Sequence, residues 1–129
     1  MTSSLSPLGW EFVTERHLAT LSTFGKDESL HVVPVGFTVE GDLARVIASG
    51  TSQKVLNIRR DGRATICQVE GRHWVTLVGR AEILEGQDDV ARAVELYSAR
   101  YKAPQPNPLR VAIALRITKL MGSPGMLAG

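Results

Sequence analysis

His31-Val32-Val33-Pro34-Val35-Gly36-Phe37-Thr38-Val39-Glu40-Gly41-Asp42-Leu43-Ala44-Arg45-Val46-Ile47-Ala48-Ser49 decides the fold. Side chains of one kind recur at every second position, which is the period of an extended strand. His31, Val33, Val35, Phe37 and Val39 share one face of a first strand. Leu43, Arg45, Ile47 and Ser49 share a face of the next. Glu40-Gly41-Asp42 between them is a hairpin turn. Pro34 has no N–H to give a ladder, so its strand is expected at an edge or to bulge there.

The same pattern extends outward in both directions. Leu18 to Phe24 forms an earlier strand, ended by Gly25-Lys26-Asp27. Arg63 to Val69 and His73 to Leu84 pair around Glu70-Gly71-Arg72. Val111, Ile113, Leu115 and Ile117 alternate with Ala112, Ala114, Arg116 and Thr118 in a late strand. That makes about six strands, mostly in hairpins and therefore antiparallel. Three segments break the alternation. Ser6-Pro7 opens a helix over Leu8 to Arg16, with proline in its first turn. Thr51 to Arg60 reads as a short helix closed by Gly62. Gln87 to Tyr101 carries an apolar stripe of Val90, Ala93, Val94, Tyr97 and Tyr101, with Asp88 and Asp89 at its start and Arg100 at its end. Ala103 to Pro108 holds three prolines and reads as an extended connector. The expected fold is one mainly β domain over residues 1–129, a six-stranded antiparallel sheet closed into a barrel.

Composition narrows the function. A 129-residue chain with 43% hydrophobic and 22% charged residues builds one core and is not a disordered tail. A net charge of +2, with basic residues in pairs such as Arg59-Arg60 but in no long run, does not point to nucleic acid. The single cysteine, Cys67, excludes an intrachain disulfide and sits in an apolar run. Met1 to Pro7 lacks the basic-then-apolar order of a secretory signal, and no apolar stretch is long enough for a membrane helix. A cytoplasmic location is expected. His17, His31 and His73 have no metal-ligand spacing, so no metal is expected. No nucleophile triad or paired carboxylates stand out, which suits chemistry carried by an organic cofactor.

The segment from Arg45 to Lys54 is the candidate site. A strand ends at Ser49, Gly50 allows a turn, and Thr51-Ser52-Gln53-Lys54 begins a helix. Free N–H groups at a helix start attract phosphate. Lys54 in the first turn opposes the helix dipole, and a bound anion reverses that sign. The same residues also suit a plain N-cap with a solvated lysine. Trp74 suits either stacking on a cofactor or a place in the core or a subunit interface.

Several further stretches complete the picture: Glu15-Arg16-His17-Leu18-Ala19, His31 to Thr38, Ala44-Arg45-Val46-Ile47, Ser52-Gln53-Lys54, Trp74 with Gly79-Arg80-Ala81, and Arg100-Tyr101 with Pro104 through Pro108. With these markers the chain resembles the flavin/deazaflavin oxidoreductases, the split β-barrel group that includes the pyridoxamine-phosphate oxidases. Within that group it is similar to the F420-dependent biliverdin reductases of actinobacteria. The resemblance implies a homodimer with two cofactor sites at the subunit interface and hydride transfer from reduced F420 to a conjugated acceptor, a tetrapyrrole such as biliverdin first among them. It implies that Ser49, Thr51, Ser52, Gln53 and Lys54 hold the phosphate side, with Arg45 and Lys54 as cations. The backbone of Val32, Val33, Pro34, Val35 and Gly36 would face the deazaflavin ring. Val46 and Ile47 belong to the implied cofactor set, and Gln68 and Trp74 would line the pocket. Arg45, Lys54 or an ordered water are the candidates for delivering a proton. FMN in place of F420, and a non-catalytic cofactor- or tetrapyrrole-binding protein, are the alternatives.

Overall fold

The computed structural model describes residues 4–15 and 17–129. Met1–Ser3, and Arg16 at the expected end of the first helix, lie outside the described residues. The elements run β1 (Ser4–Leu5), α1 (Pro7–Thr14), β2 (Ala19–Phe24), β3 (Leu30–Val35), β4 (Thr38–Glu40), β5 (Leu43–Ser49), α2 (Gln53–Arg60), β6 (Arg63–Glu70), β7 (His73–Leu84), α3 (Gln87–Arg100), β8 (Arg110–Gly122) and β9 (Leu127–Ala128).

Seven strands form one antiparallel sheet in the order β3-β2-β6-β7-β8-β5-β4, and β1 pairs with β9. β3 and β4 lie at opposite edges of that sheet, yet only Gly36 and Phe37 separate them in the chain. Three peptide links reach roughly 10 Å at most. The sheet must therefore curl until its edges approach, which is a barrel with a split between β3 and β4. Pro34 sits on the edge strand β3, opposite Thr20, where its missing N–H faces no partner strand.

One expectation changes. The strand expected from His31 through Val39 breaks at Gly36–Phe37, so the sheet has seven strands instead of six. The cause lies in α3. A Cβ on Gly36 would come within 3.0 Å of both Tyr97 and Tyr101 side chains. The Phe37 N–H donates to Tyr101 Oη at 3.2 Å, and the Phe37 carbonyl accepts from Arg100 Nη1 at 2.5 Å. Side chains at the end of α3 thus satisfy both polar groups of Phe37, which needs no strand partner.

The period-two pattern sorts the side chains as expected. β5 buries Ala44, Val46 and Ala48 and turns Leu43, Arg45, Ile47 and Ser49 outward. Inside the barrel, Leu21, Ile66, Leu77, Ile113 and Leu115 are at most 1% exposed. Burying each such side chain is worth about 1.5–3 kcal/mol before entropy is counted. α1 contributes Phe12 and Val13 to this core, and α2 contributes Val55 and Ile58. α3 lies across β5 and β8. That is why Ala112 and Ala114, which have outward parity on β8, are buried along with Ala93 of the helix. Alanines let the helix come close to the strands.

Candidate functional site

The site grows from the β5–α2 junction. Gly50 N–H donates to Leu109 O at 2.7 Å, which ties the loop to the start of β8. Ser52 is the residue before the helix, but its hydroxyl turns back and donates to Ser49 O at 2.8 Å. No side chain caps α2. Val55 N–H is the first helical donor to close a turn, onto Ser52 O. The N–H groups of Gln53 and Lys54 are left pointing out of the helix start. Lys54 is half-buried, and among the described residues it forms no hydrogen bond or ion pair. Ser49 Oγ and Thr51 Oγ1 lie 3.4 Å apart at the same mouth. Two open amides, the positive end of the helix dipole and an unpaired ammonium fit a phosphate. Gln53 gives only its backbone to this mouth, because its amide donates inward to Asn57 Oδ1 at 2.8 Å.

Arg45 is placed differently. It shares the outward face of β5 with Ser49, but four residues separate them, roughly 13 Å along the strand. Its guanidinium donates to Glu40 Oε1 at 2.8 Å, and the other Glu40 oxygen takes Arg92 of α3. The Arg92 guanidinium, and after it that of Arg45, hold the Glu40 carboxyl below the usual carboxylate range. The structure thus gathers Ser49, Thr51, Ser52, Gln53 and Lys54 into one mouth and leaves Arg45 paired with Glu40 of β4.

The remaining expected residues divide by side. Val32 is 55% exposed, and Pro34, Ile47 and Trp74 also face outward. Val33, Val35 and Val46 point into the barrel, and Val46 is 2% exposed. Val35 and Val46 can touch a ligand only through their backbone. Gln68 is fully buried, with Nε2 donating to Phe12 O and Oε1 accepting from Arg100, both at 2.8 Å. It therefore braces the core instead of lining a pocket. Gly36 faces Tyr97 and Tyr101, so its lack of a side chain is explained by helix packing and not by room for a ring.

Two residues have bracing roles that the sequence did not show. Asn57 is fully buried and donates to Thr23 Oγ1 at 3.1 Å, which ties α2 to β2, and it accepts from Arg60 of its own helix at 3.0 Å. An asparagine between Val55 and Ile58 on the apolar stripe was the available signal. Arg100 donates to Glu15 O at 2.8 Å as well as to Phe37 O and Gln68. Burial pulls its guanidinium below the ordinary arginine value. Burial likewise pushes up the Tyr101 phenol, which donates to His17 O at 2.7 Å.

Comparison with known proteins agrees with this architecture. A biliverdin reductase described as F420H(2)-dependent, from Mycobacterium tuberculosis (strain CDC 1551 / Oshkosh), is 44% identical over 128 residues, covering 98% of this chain and 93% of that protein. The crystal structure of a conserved hypothetical protein from Mycobacterium tuberculosis superposes with a TM-score of 0.80 at 23% identity, over 93% of this chain and 85% of the other. A structure described as an F420 reductase gives 0.73 at 20% identity, over 86% and 94%. At those identities the two structures establish the fold. The family model for pyridoxamine 5'-phosphate oxidase matches residues 10–122, nearly the whole of the described barrel, and the chain belongs to that family.

Proposed function

We propose that this chain is an F420H2-dependent reductase, that biliverdin is its acceptor, and that it works as a homodimer with the cofactor held at the subunit interface. The observation that carries the reading is the uncapped start of α2, where Lys54 makes no hydrogen bond or ion pair among the described residues. The 44% identical reductase from Mycobacterium tuberculosis supports the choice of cofactor and acceptor. Reduced F420, when bound, supplies the hydride. The chain's own residues bind and orient. The Gln53 and Lys54 amides and the Lys54 ammonium hold the phosphate, and the free edge of β3 at Val32 and Pro34 offers backbone groups to the ring. Arg45 is occupied by Glu40 and Lys54 by the phosphate, which leaves an ordered water to deliver the proton.

The dimer reading rests on the outward face of β6, β7 and β8. Val69, Trp74 and Met121 are exposed there at 60%, 36% and 36%. Such a patch on a small barrel suits burial against a second copy. Among the described residues no helix is long and apolar enough to cross a membrane.

FMN is the second reading, because it also carries a phosphate that the α2 mouth would accept, and the family model is that of an FMN-type oxidase fold. The purified protein's visible spectrum and a titration with F420 decide between them. A colourless protein that binds F420 and oxidises F420H2 with biliverdin supports the proposal. A yellow protein with tightly held FMN and no F420 binding overturns it. Binding of F420 without turnover of any acceptor would make it a carrier.

A further inference from the structure

Three arginines stand side by side on the outward face of the sheet. Arg63 on β6 is directly opposite Arg80 on β7, and Arg80 is directly opposite Arg116 on β8. Opposed side chains in an antiparallel ladder are about 4.5–5.5 Å apart at Cβ, and like charges placed so are destabilising. Their counter-charges are uneven. Arg63 is gripped by Asp61 through Nε at 3.1 Å and Nη2 at 2.6 Å, and Glu28 stands 3.8 Å away. Arg116 reaches Asp42 at 3.4 Å between two largely exposed side chains. Arg80, in the middle, makes no hydrogen bond or ion pair among the described residues, and Asp61, which Arg63 holds, acts on it only through space. Glu82, the next outward residue on β7, does not pair with it either.

An apolar groove of about 360 Å³ adjoins this row. Phe24, Leu30, Thr65 and Val78 line it, with Arg63 at its rim. The Arg63 guanidinium lies 4.3 Å from the Phe24 ring centre, and Leu30 is 70% exposed. The groove is at the Arg63–Arg80 end of the β6–β7 pair, and Val69 and Trp74 are at the other end, roughly 20 Å away. It is also distinct from the α2 mouth, because Arg63 follows the C-terminal end of that helix.

We infer that the arginine row and this groove bind a flat apolar molecule that carries carboxylates. The body lies over Phe24, Leu30 and Val78, and a carboxylate takes the open Arg80. Arginine's planar fork matches a carboxylate in a bidentate geometry. Apolar walls with a few fixed polar groups are the usual make-up of a small-molecule site. An added anion also relieves the repulsion along the row. The identity of this ligand as the reductase's acceptor rests on the function proposed above; the site itself does not.

The test uses the full chain without F420. Biliverdin and, separately, its dimethyl ester are titrated in and followed by quenching of tryptophan fluorescence. Arg80→Ala is treated in the same way, and F420 is titrated into both proteins. The wild type is expected to bind the diacid roughly tenfold or more tightly than the diester, the scale of one hydrogen-bonded charge contact. Arg80→Ala should lose that preference while keeping its affinity for the diester and for F420. Arg80 is exposed and removing it relieves like charges, so the melting temperature should not fall. Equal binding of diacid and diester, an unchanged diacid affinity in Arg80→Ala, or no diacid binding at all would overturn the inference. If F420 fails to bind while diacid binding still depends on Arg80, the reductase reading falls and this site stands.

Discussion

The guanidinium of Arg100 donates to the carbonyl oxygen of Phe37 at 2.5 Å, across 63 residues of sequence. That bond fastens the last residue of α3 to the corner where the chain passes from one edge of the sheet to the other. The same side chain reaches Glu15 O and Gln68, so one cation ties α1, β6, α3 and the corner together.

Arg100→Met keeps the side-chain length and removes those bonds. Gln68 Oε1 and Phe37 O would then be buried with less than their full complement. The expected loss of stability is about 1.5–3 kcal/mol, the range for hydrogen bonds to charged groups. Arg100→Lys should recover only part of it, since an ammonium cannot reproduce the fork. Urea denaturation of the two variants measures this, and a loss below about 0.5 kcal/mol in Arg100→Met would contradict the brace.

Gly36→Val places a branched side chain against Tyr97 and Tyr101. Overpacking of this kind costs about 1–3 kcal/mol. The melting temperature should drop, whereas the F420 dissociation constant of the folded fraction should stay within about twofold. Thermal unfolding and a titration on the same preparation check both. A large loss of affinity at unchanged stability would restore Gly36 to the ligand site.

Lys54→Ala removes the unpaired cation at the start of α2. F420 affinity should fall by about 10- to 100-fold, the equivalent of a lost charge-assisted hydrogen bond. Stability should hold or rise by a few tenths of a kcal/mol, because a lysine there opposes the helix dipole. Calorimetric titration together with a melting curve tests the pair of effects. Reduced stability with unchanged affinity would make Lys54 a structural residue.

Acid should act on the Asp61–Arg63 pair. Hydrogen bonds from Arg63 hold the Asp61 carboxyl down at about 2, below its ordinary 3.8. A carboxyl depressed in the folded state contributes stability above its unfolded value, and that contribution is lost as pH falls through the folded one. Asp61→Asn should therefore melt lower than the wild type at pH 7, by a modest amount because the pair is exposed. The gap should close between about pH 4 and pH 2. Melting temperatures across that range are the measurement, and a gap that persists at pH 2 would show that the charge is not its source.

The sequence by itself determined every feature that depends on near neighbours. Alternation at His31 to Val35 and Leu43 to Ser49 made strands, because pleated backbone sends successive side chains to opposite faces. Pro34 marked an edge through its missing N–H, and Gln87 to Arg100 announced a helix by its stripe and its terminal charges. The open start of α2 at Ser49 to Lys54 was legible for the same local reason, since a helix start exposes its own amides. The tertiary structure decided what depends on residues far apart in the chain. The break at Gly36–Phe37 comes from tyrosines and an arginine more than 60 positions later. Arg45 alternates like a free strand cation, yet Glu40 holds it, and only the fold brings Arg92 of α3 onto the other oxygen of the same carboxylate. Arg80 meets Arg63 through the β6–β7 hairpin, whose register the turn at Gly71 fixes, but Arg116 joins the row only through the pairing of β7 with β8, which α3 and the proline connector separate in the chain and only the sheet brings together.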